Sequence, residues 1–180
     1  MVKNLILGLA FACVATLTVN SYVQSADAQA APVPDTQIAK ILLTINDGEV
    51  DAAKIAQKHA QTQAVKDFAN MMADQHEKGI KETKHVAKMN KINPEDSDMS
   101  KSLKEEASAA NKDLKRQDKM AFDRAYIKQQ IMMHEKVLAT LKEKLIPDAQ
   151  NTEFKAYLEK TRAAVAEHLD HAKQIESKLQ

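Results

Sequence analysis

The sequence predicts an all-α protein, a four-helix bundle with an additional helix that crosses between its second and third members. The 180 residues include only 3 Gly, 4 Pro and no Trp, a composition that suits helices. Apolar residues recur every three or four positions in four long segments, the period of a helix with one buried face. A long, highly charged connection separates these segments into two pairs, which predicts two helical hairpins joined by a crossover.

The first 30 residues are predicted to be an export signal. Lys3 supplies a positive charge, and residues 5–19 form an apolar run. Residues 26–30 twice offer the small-x-small pattern of a cleavage site, so we expect cleavage near residues 28–30. The apolar run is shorter than the roughly 18 residues that a membrane-spanning helix needs. The mature chain is therefore expected to have no transmembrane segment and to be exported, to the periplasm.

The composition narrows the functions open to the mature chain. The 26 basic and 25 acidic residues nearly balance, so no strong field indicates a nucleic-acid partner. The only cysteine, Cys13, lies within the expected signal, which leaves the mature chain without disulfides or thiolate ligands. Residues 31–36 are predicted to be a short linker and residues 37–180 the bundle domain.

The first predicted hairpin carries two polar side chains on its apolar faces. Its helices are expected over residues 35–60 and 62–90, and each has one apolar stripe. Glu49 lies in the stripe of the first helix and His76 in that of the second, where hydrocarbon side chains are expected. Gly48 is unusual in a helix interior, and it indicates either a close helix approach or a local bend.

The second predicted hairpin repeats this feature. Residues 98–116 form a charged helix with a thin apolar stripe, expected to be the crossover on the outside of the bundle. Helices over 119–145 and 152–179 follow, and each again places one histidine on its apolar face. These histidines are His134 and His168.

The four inward polar residues are predicted to lie at one height. In the crossover topology of ferritin-like bundles, the second and third bundle helices run parallel, and the first and fourth run the opposite way. Glu49 and His168 are about eleven residues before the ends of their helices, whereas His76 and His134 are about fourteen after the starts, so their heights agree within about one turn.

This layer has two interpretations. Buried polar groups without partners cost several kcal/mol, so the four side chains either hold a cation or satisfy one another. Glu49, His76, His134 and His168 form a reasonable ligand set for one divalent ion, Zn, Fe, Mn or Cu. Alternatively, they form a Glu–His hydrogen-bond network that sets the register of the helices without a metal.

Three further residues are candidates to support the layer through hydrogen bonds. Asp74 is two positions before His76. His171 is three positions after His168, on the flank of the apolar stripe, where it could also add a ligand. Asp123 lies three turns from the layer, about 16 Å along the helix axis. For Asp123 we expect a buried or helix-end hydrogen bond, to the first helix or to the crossover.

Four motifs are distributed along nearly all of the mature chain: GE at 48–49, FANMMADQH at 68–76, FDRAY at 122–126 before His134, and EHL at 167–169. In this order they resemble the exported bacterial domain-of-unknown-function proteins that are often labelled "predicted outer membrane protein". The resemblance implies a ferritin-like helical bundle, and it implies no settled activity. The label itself is not carried over to this chain.

The sequence favours a role other than catalysis. The Glu-x-x-His pairs of di-iron carboxylate proteins are missing, because Ala73, Ile131 and Val165 occupy the positions three before the histidines. No nucleophile elbow, phosphate loop or His-Glu-x-x-His motif is present either. The sequence therefore leaves two hypotheses, an exported metal-binding bundle or a structural or stress-related interaction module.

Overall fold

The computed structural model describes residues 31–179, and its helices confirm the all-α prediction. Five long helices occur: α1 (Asp35–His59), α2 (Gln63–Met89), α3 (Asp98–Arg116), α4 (Phe122–Thr140) and α5 (Thr152–Glu176). A π-helical turn (Leu141–Leu145) and a short α-helical turn (Ile146–Asp148) extend α4. None of the helices within 31–179 has the length and hydropathy needed to cross a membrane. The expected signal at residues 1–30 lies outside the described residues.

Hydrogen bonds between helix ends define the helix directions. The Asp123 carboxylate, at the start of α4, accepts from two backbone N–H groups in the turn between α1 and α2, at 2.9 and 2.8 Å. The Asp35 carboxylate, at the start of α1, accepts from two backbone N–H groups just before α5, at 3.0 and 2.9 Å. Therefore α2 and α4 start at one end of the bundle, and α1 and α5 start at the other. This arrangement matches the predicted crossover topology, while kinship with ferritin-like bundles stays a prediction.

Helix α3 forms the crossover and packs closely against α1. A Cβ atom added to Gly48 would come within 2.9 Å of the Ala107 Cβ atom, so only glycine permits this approach. The Asn111 side chain donates to the Gly48 carbonyl oxygen at 3.3 Å. Gly48 thus marks a close helix approach, one of the two roles that the sequence indicated.

The apolar core consists of two clusters. One cluster contains Phe68, Met72, Phe122 and Ile127, all exposed by 1% or less. The other contains Ile38, Leu42, Leu141, Phe154 and Leu158, which are equally buried. A set of buried polar side chains belongs to neither cluster: Asn46, Glu49, His76, Gln130, His134 and His168. Because an apolar core tolerates polar groups only when they are paired or functional, this polar set is the candidate site.

Candidate metal centre

Three histidines from three helices meet inside the bundle. One ring nitrogen of each of His76 (α2), His134 (α4) and His168 (α5) lies within 4.8 Å of the corresponding nitrogens of the other two. The ring centroids are 5.2–5.9 Å apart, and the residues are exposed by only 6%, 3% and 6%. Two nitrogens that bind one ion at about 2.0–2.1 Å are at most about 4.2 Å apart. Small side-chain rotations would therefore bring the three ring nitrogens close enough to bind one ion.

The orientation of His76 is set by a residue of α1. The His76 Nδ1 atom lies 2.8 Å from Asn46 Oδ1, and the Asn46 Nδ2 atom donates to the Leu42 carbonyl oxygen at 2.7 Å. Because Asn46 Nδ2 is used as a donor, Oδ1 acts as the acceptor and Nδ1 of His76 carries the proton. The Nε2 atom of His76, which is buried, is then left with its lone pair free.

The other two rings follow the same rule with different partners. His134 Nδ1 donates to the backbone oxygen of Gln130, one turn earlier in α4, at 2.8 Å. His168 Nε2 lies 2.6 Å from Gln75 Oε1, which accepts the proton of that ring. The nitrogens left as acceptors are Nε2 of His134 and Nδ1 of His168. Carbonyl groups that bind the outer nitrogen of a histidine are a regular feature of metal sites, where they fix the tautomer and the ring orientation.

Two of the ring nitrogens that do not carry a proton lack a hydrogen-bond donor from the described part of the protein. His76 Nε2 and His168 Nδ1 are buried and have no hydrogen-bond partner among residues 31–179. An unpaired buried polar atom costs about 1–3 kcal/mol. A Glu–His network would pair these two atoms with each other or with Glu49, and the described contacts contain no such bond. Two lone pairs that lack a proton donor are the donor set that a cation requires.

Burial and repulsion between the rings keep His76 and His168 in the neutral form that metal binding requires. Burial lowers the pKa of His76 well below its ordinary value of 6.5, and repulsion from His134 and His168 lowers it further. Burial also lowers the pKa of His168 to about 4, with smaller contributions from His134 and His171. Both rings are therefore uncharged at neutral pH, and their lone pairs are available.

Glu49 lies beside the three-histidine group rather than within it. Its buried Oε2 atom accepts a hydrogen bond from Gln130 Nε2 at 2.8 Å, and the backbone of Gln130 binds His134. Burial raises the pKa of Tyr126 well above its ordinary value of 10, and the negative charge of Glu49 raises it further. Glu49 thus places a negative charge next to the group, and its direct binding to an ion stays a prediction.

The three residues expected to support the layer have different surroundings. Asp74 is exposed and has no hydrogen bond to the histidines among the described contacts; the adjacent Gln75 makes that bond instead. Asp123 is buried and binds the turn between α1 and α2, the helix-end role expected for it. His171 is exposed and packs edge-on against Phe68, with ring centroids 5.2 Å apart.

Sequence reasoning missed the residues that orient the rings. Asn46 and Gln130 do lie on the inner faces of their helices, three residues before Glu49 and four before His134, so helical spacing could have found them. Gln75 is exposed and follows no apolar stripe. No pattern in a single sequence distinguishes it from an ordinary surface glutamine.

The fold and this site define the protein as an all-α helical bundle with a buried three-histidine centre. The family model described as a domain of unknown function, DUF4142, matches residues 21–175. The chain therefore belongs to this family, and the resemblance to a domain-of-unknown-function family is confirmed. The comparisons with curated proteins and with solved structures found no match. The family carries no activity with it, so the function has to be argued from the site.

Proposed function

We propose that this protein is an exported metal-binding protein that holds one transition-metal ion through His76, His134 and His168. Its main support is that one ring nitrogen from each of these histidines lies within 4.8 Å of those of the other two. In addition, His76 Nε2 and His168 Nδ1 are buried without a hydrogen-bond partner among residues 31–179. The opposite nitrogen of every ring is hydrogen-bonded to a carbonyl oxygen. An ion would satisfy the inward lone pairs without disturbing these outer bonds.

The donor set favours zinc, copper or iron over manganese. Imidazole nitrogens suit Zn, Cu and Fe, whereas Mn prefers oxygen donors. Three neutral histidines leave the full charge of the ion in a buried site, and the nearby Glu49 carboxylate offsets part of it. Three protein ligands also leave a further coordination position for water or another small ligand, as in zinc sites built from three histidines.

Export is the second part of the proposal. The positive charge, apolar run and small-x-small motifs of residues 1–30 support a cleaved signal and a periplasmic location. A periplasmic protein with no thiol in its mature chain would bind metals through imidazoles. Intact-mass measurement of the secreted protein tests this part, and the expected mature chain starts at residue 29 or 31.

A register-setting role is the alternative, and one observation favours it. The outer hydrogen bonds join different helices: Asn46 to His76 (α1 to α2), Gln75 to His168 (α2 to α5), and Glu49 to Gln130 (α1 to α4). These bonds would set helix register even without a metal. In that case the protein would be a non-catalytic structural or stress-related interaction module.

Metal repletion followed by elemental analysis separates the two functions. Protein purified with chelators, loaded with Zn²⁺ or Cu²⁺ and desalted should retain about one ion per chain, because three converging ligands hold one ion. His76→Ala should lose it. His85→Ala is the matched control, since His85 lies on the same helix but is exposed. Equal retention in His76→Ala and wild type, or no retention in wild type, would contradict metal binding at this site.

A further inference from the structure

We propose that the metal ion enters and leaves through a cleft between α2 and α5, and that Gln75, which lines this cleft, is the positioning residue that holds His168 in place. This inference rests on the proposed function, because it assumes that an ion binds the three histidines. The cleft has a volume of about 380 Å³. It is lined by two of the three histidines, His76 and His168, and by their outer partners Asn46 and Gln75.

The two outer partners differ in how firmly they are held. Asn46 is buried, and both atoms of its carboxamide are bonded, to His76 and to the Leu42 backbone. Gln75 is exposed, and its described hydrogen bond is the one to His168. A solvated carboxamide can exchange this bond for water at small net cost. Gln75 is therefore the partner whose hydrogen bond, to His168, can be broken more easily.

Release of Gln75 would free the His168 ring to turn towards the cleft. With Nε2 no longer held, rotation about the side-chain bonds can present the Nδ1 lone pair to an ion in the cleft. The ring then returns to the centre with the ion, and Gln75 Oε1 binds Nε2–H again. The bond to Gln75 also keeps the proton on Nε2, which leaves Nδ1 as the binding atom.

The charges at the mouth of the cleft oppose a cation. The Glu82 carboxylate lies 3.7 Å from the ammonium groups of both Lys78 and Lys160, so the mouth carries two positive charges and one negative charge. Entry is thus limited by electrostatic repulsion as well as by shape. Lys160→Glu changes this balance to one positive and two negative charges, and it should speed loading at low salt and lose that effect at high salt.

The route is tested by the rates at which the purified protein takes up and releases Zn²⁺, followed with a metal-sensitive dye in stopped flow. Ala164 is half-buried and lines the cleft, so Ala164→Leu narrows it. Uptake and release should both slow by about tenfold or more, about 1.4 kcal/mol on each barrier, with Kd unchanged. Ala163→Leu, on the neighbouring exposed position, is the control and should keep wild-type rates. Wild-type rates in Ala164→Leu, or a change in Kd alone, would overturn the route.

The role of Gln75 is tested by two variants in the same assay. Gln75→Leu removes the acceptor for His168 Nε2–H, so release should accelerate severalfold. Gln75→Glu keeps an acceptor oxygen and should restore slow release. Equal release rates in Gln75→Leu and wild type would refute the positioning role. A wild-type protein that binds neither Zn²⁺ nor Cu²⁺ would defeat the proposed function itself, whereas binding with rates that Ala164→Leu does not change would defeat the route alone.

Discussion

Asn46 Oδ1 lies 2.8 Å from His76 Nδ1, and this contact gives α1 a part in a centre to which it contributes no histidine. The same carboxamide is anchored to the Leu42 backbone at 2.7 Å. A carboxamide that is bonded at both its oxygen and its nitrogen fixes the tautomer and the orientation of the imidazole, and it leaves Nε2 as the atom with a free lone pair. The centre therefore depends on all four bundle helices, since Asn46 of α1 orients His76 of α2.

Asn46→Leu should weaken metal binding and destabilise the metal-free protein. Loss of the outer partner of a metal-binding histidine typically costs about 10–100-fold in metal affinity, and an unpaired His76 Nδ1–H should cost about 1–3 kcal/mol. Competition with a chromophoric chelator and urea unfolding measure the two effects. Asn70→Leu, at an exposed position of α2, should keep wild-type affinity. An unchanged affinity in Asn46→Leu would argue against orientation by Asn46.

Gly48 of α1 and Gly79 of α2 give a matched pair of Gly→Ala variants. In a helix interior, Ala is normally favoured by about 0.8–1 kcal/mol, so any loss of stability has to come from the added Cβ atom. At Gly79 that atom would lie 2.6 Å from Asn46 Oδ1, so Gly79→Ala should displace Asn46 and weaken both stability and metal affinity. At Gly48 it would meet Ala107 at 2.9 Å, so Gly48→Ala should lower stability alone. Chelator competition and thermal unfolding of both variants check this, and equal metal affinities would contradict it.

The metal-free protein should become less stable as the pH falls from about 6.5 towards 4. The pKa of His168 is about 4 in the folded protein against an ordinary 6.5, so the unfolded chain binds more protons in this window. Each such histidine lowers the free energy of unfolding by up to about 1.4 kcal/mol per pH unit, and the lowered pKa of His76 acts in the same direction. Urea unfolding at several pH values measures the slope, and His168→Gln should reduce it. A slope unchanged by His168→Gln would contradict the pKa assignment.

Asp123→Ala should destabilise the bundle without changing metal binding. The carboxylate accepts two backbone N–H groups in the turn between α1 and α2, and the loss of such a cap costs about 0.5–2 kcal/mol. Asp113→Ala is the control, because its exposed side chain pairs only within the surface of α3 and should change stability by less than about 0.5 kcal/mol. Thermal unfolding and elemental analysis test both variants. A loss of bound metal in Asp123→Ala would show that Asp123 acts on the centre.

Helical periodicity predicted the helices and the three histidines because both follow from which face of a helix is buried. His76, His134 and His168 interrupt apolar stripes at steps of three or four residues, and the helix directions bring them to one height. The close approach at Gly48 was also predictable, since a glycine in a helix interior needs a reason. These features depend on the geometry of the helix backbone, which the spacing of apolar residues predicts.

The surroundings of the histidines depend on side-chain rotamers, and periodicity does not encode them. Glu49 lies on the inner face as predicted, yet its carboxylate binds Gln130 rather than lying within the histidine group. Gln75 is exposed and reaches His168 only because α2 and α5 lie side by side. Asp74 is one position away from Gln75, about 100° of helix rotation; both residues are exposed, and of the two only Gln75 has a described hydrogen bond to His168.

X-ray absorption spectroscopy of the protein loaded with one equivalent of Zn²⁺ or copper is the direct test of a three-histidine centre. We expect a first coordination shell that contains three imidazole nitrogens at about 2.0–2.1 Å, with outer-ring scattering from the histidines. In His134→Ala the number of imidazole scatterers should fall or the ion should be lost. A first shell made only of oxygen donors, or a spectrum unchanged in His134→Ala, would contradict a metal centre built from His76, His134 and His168.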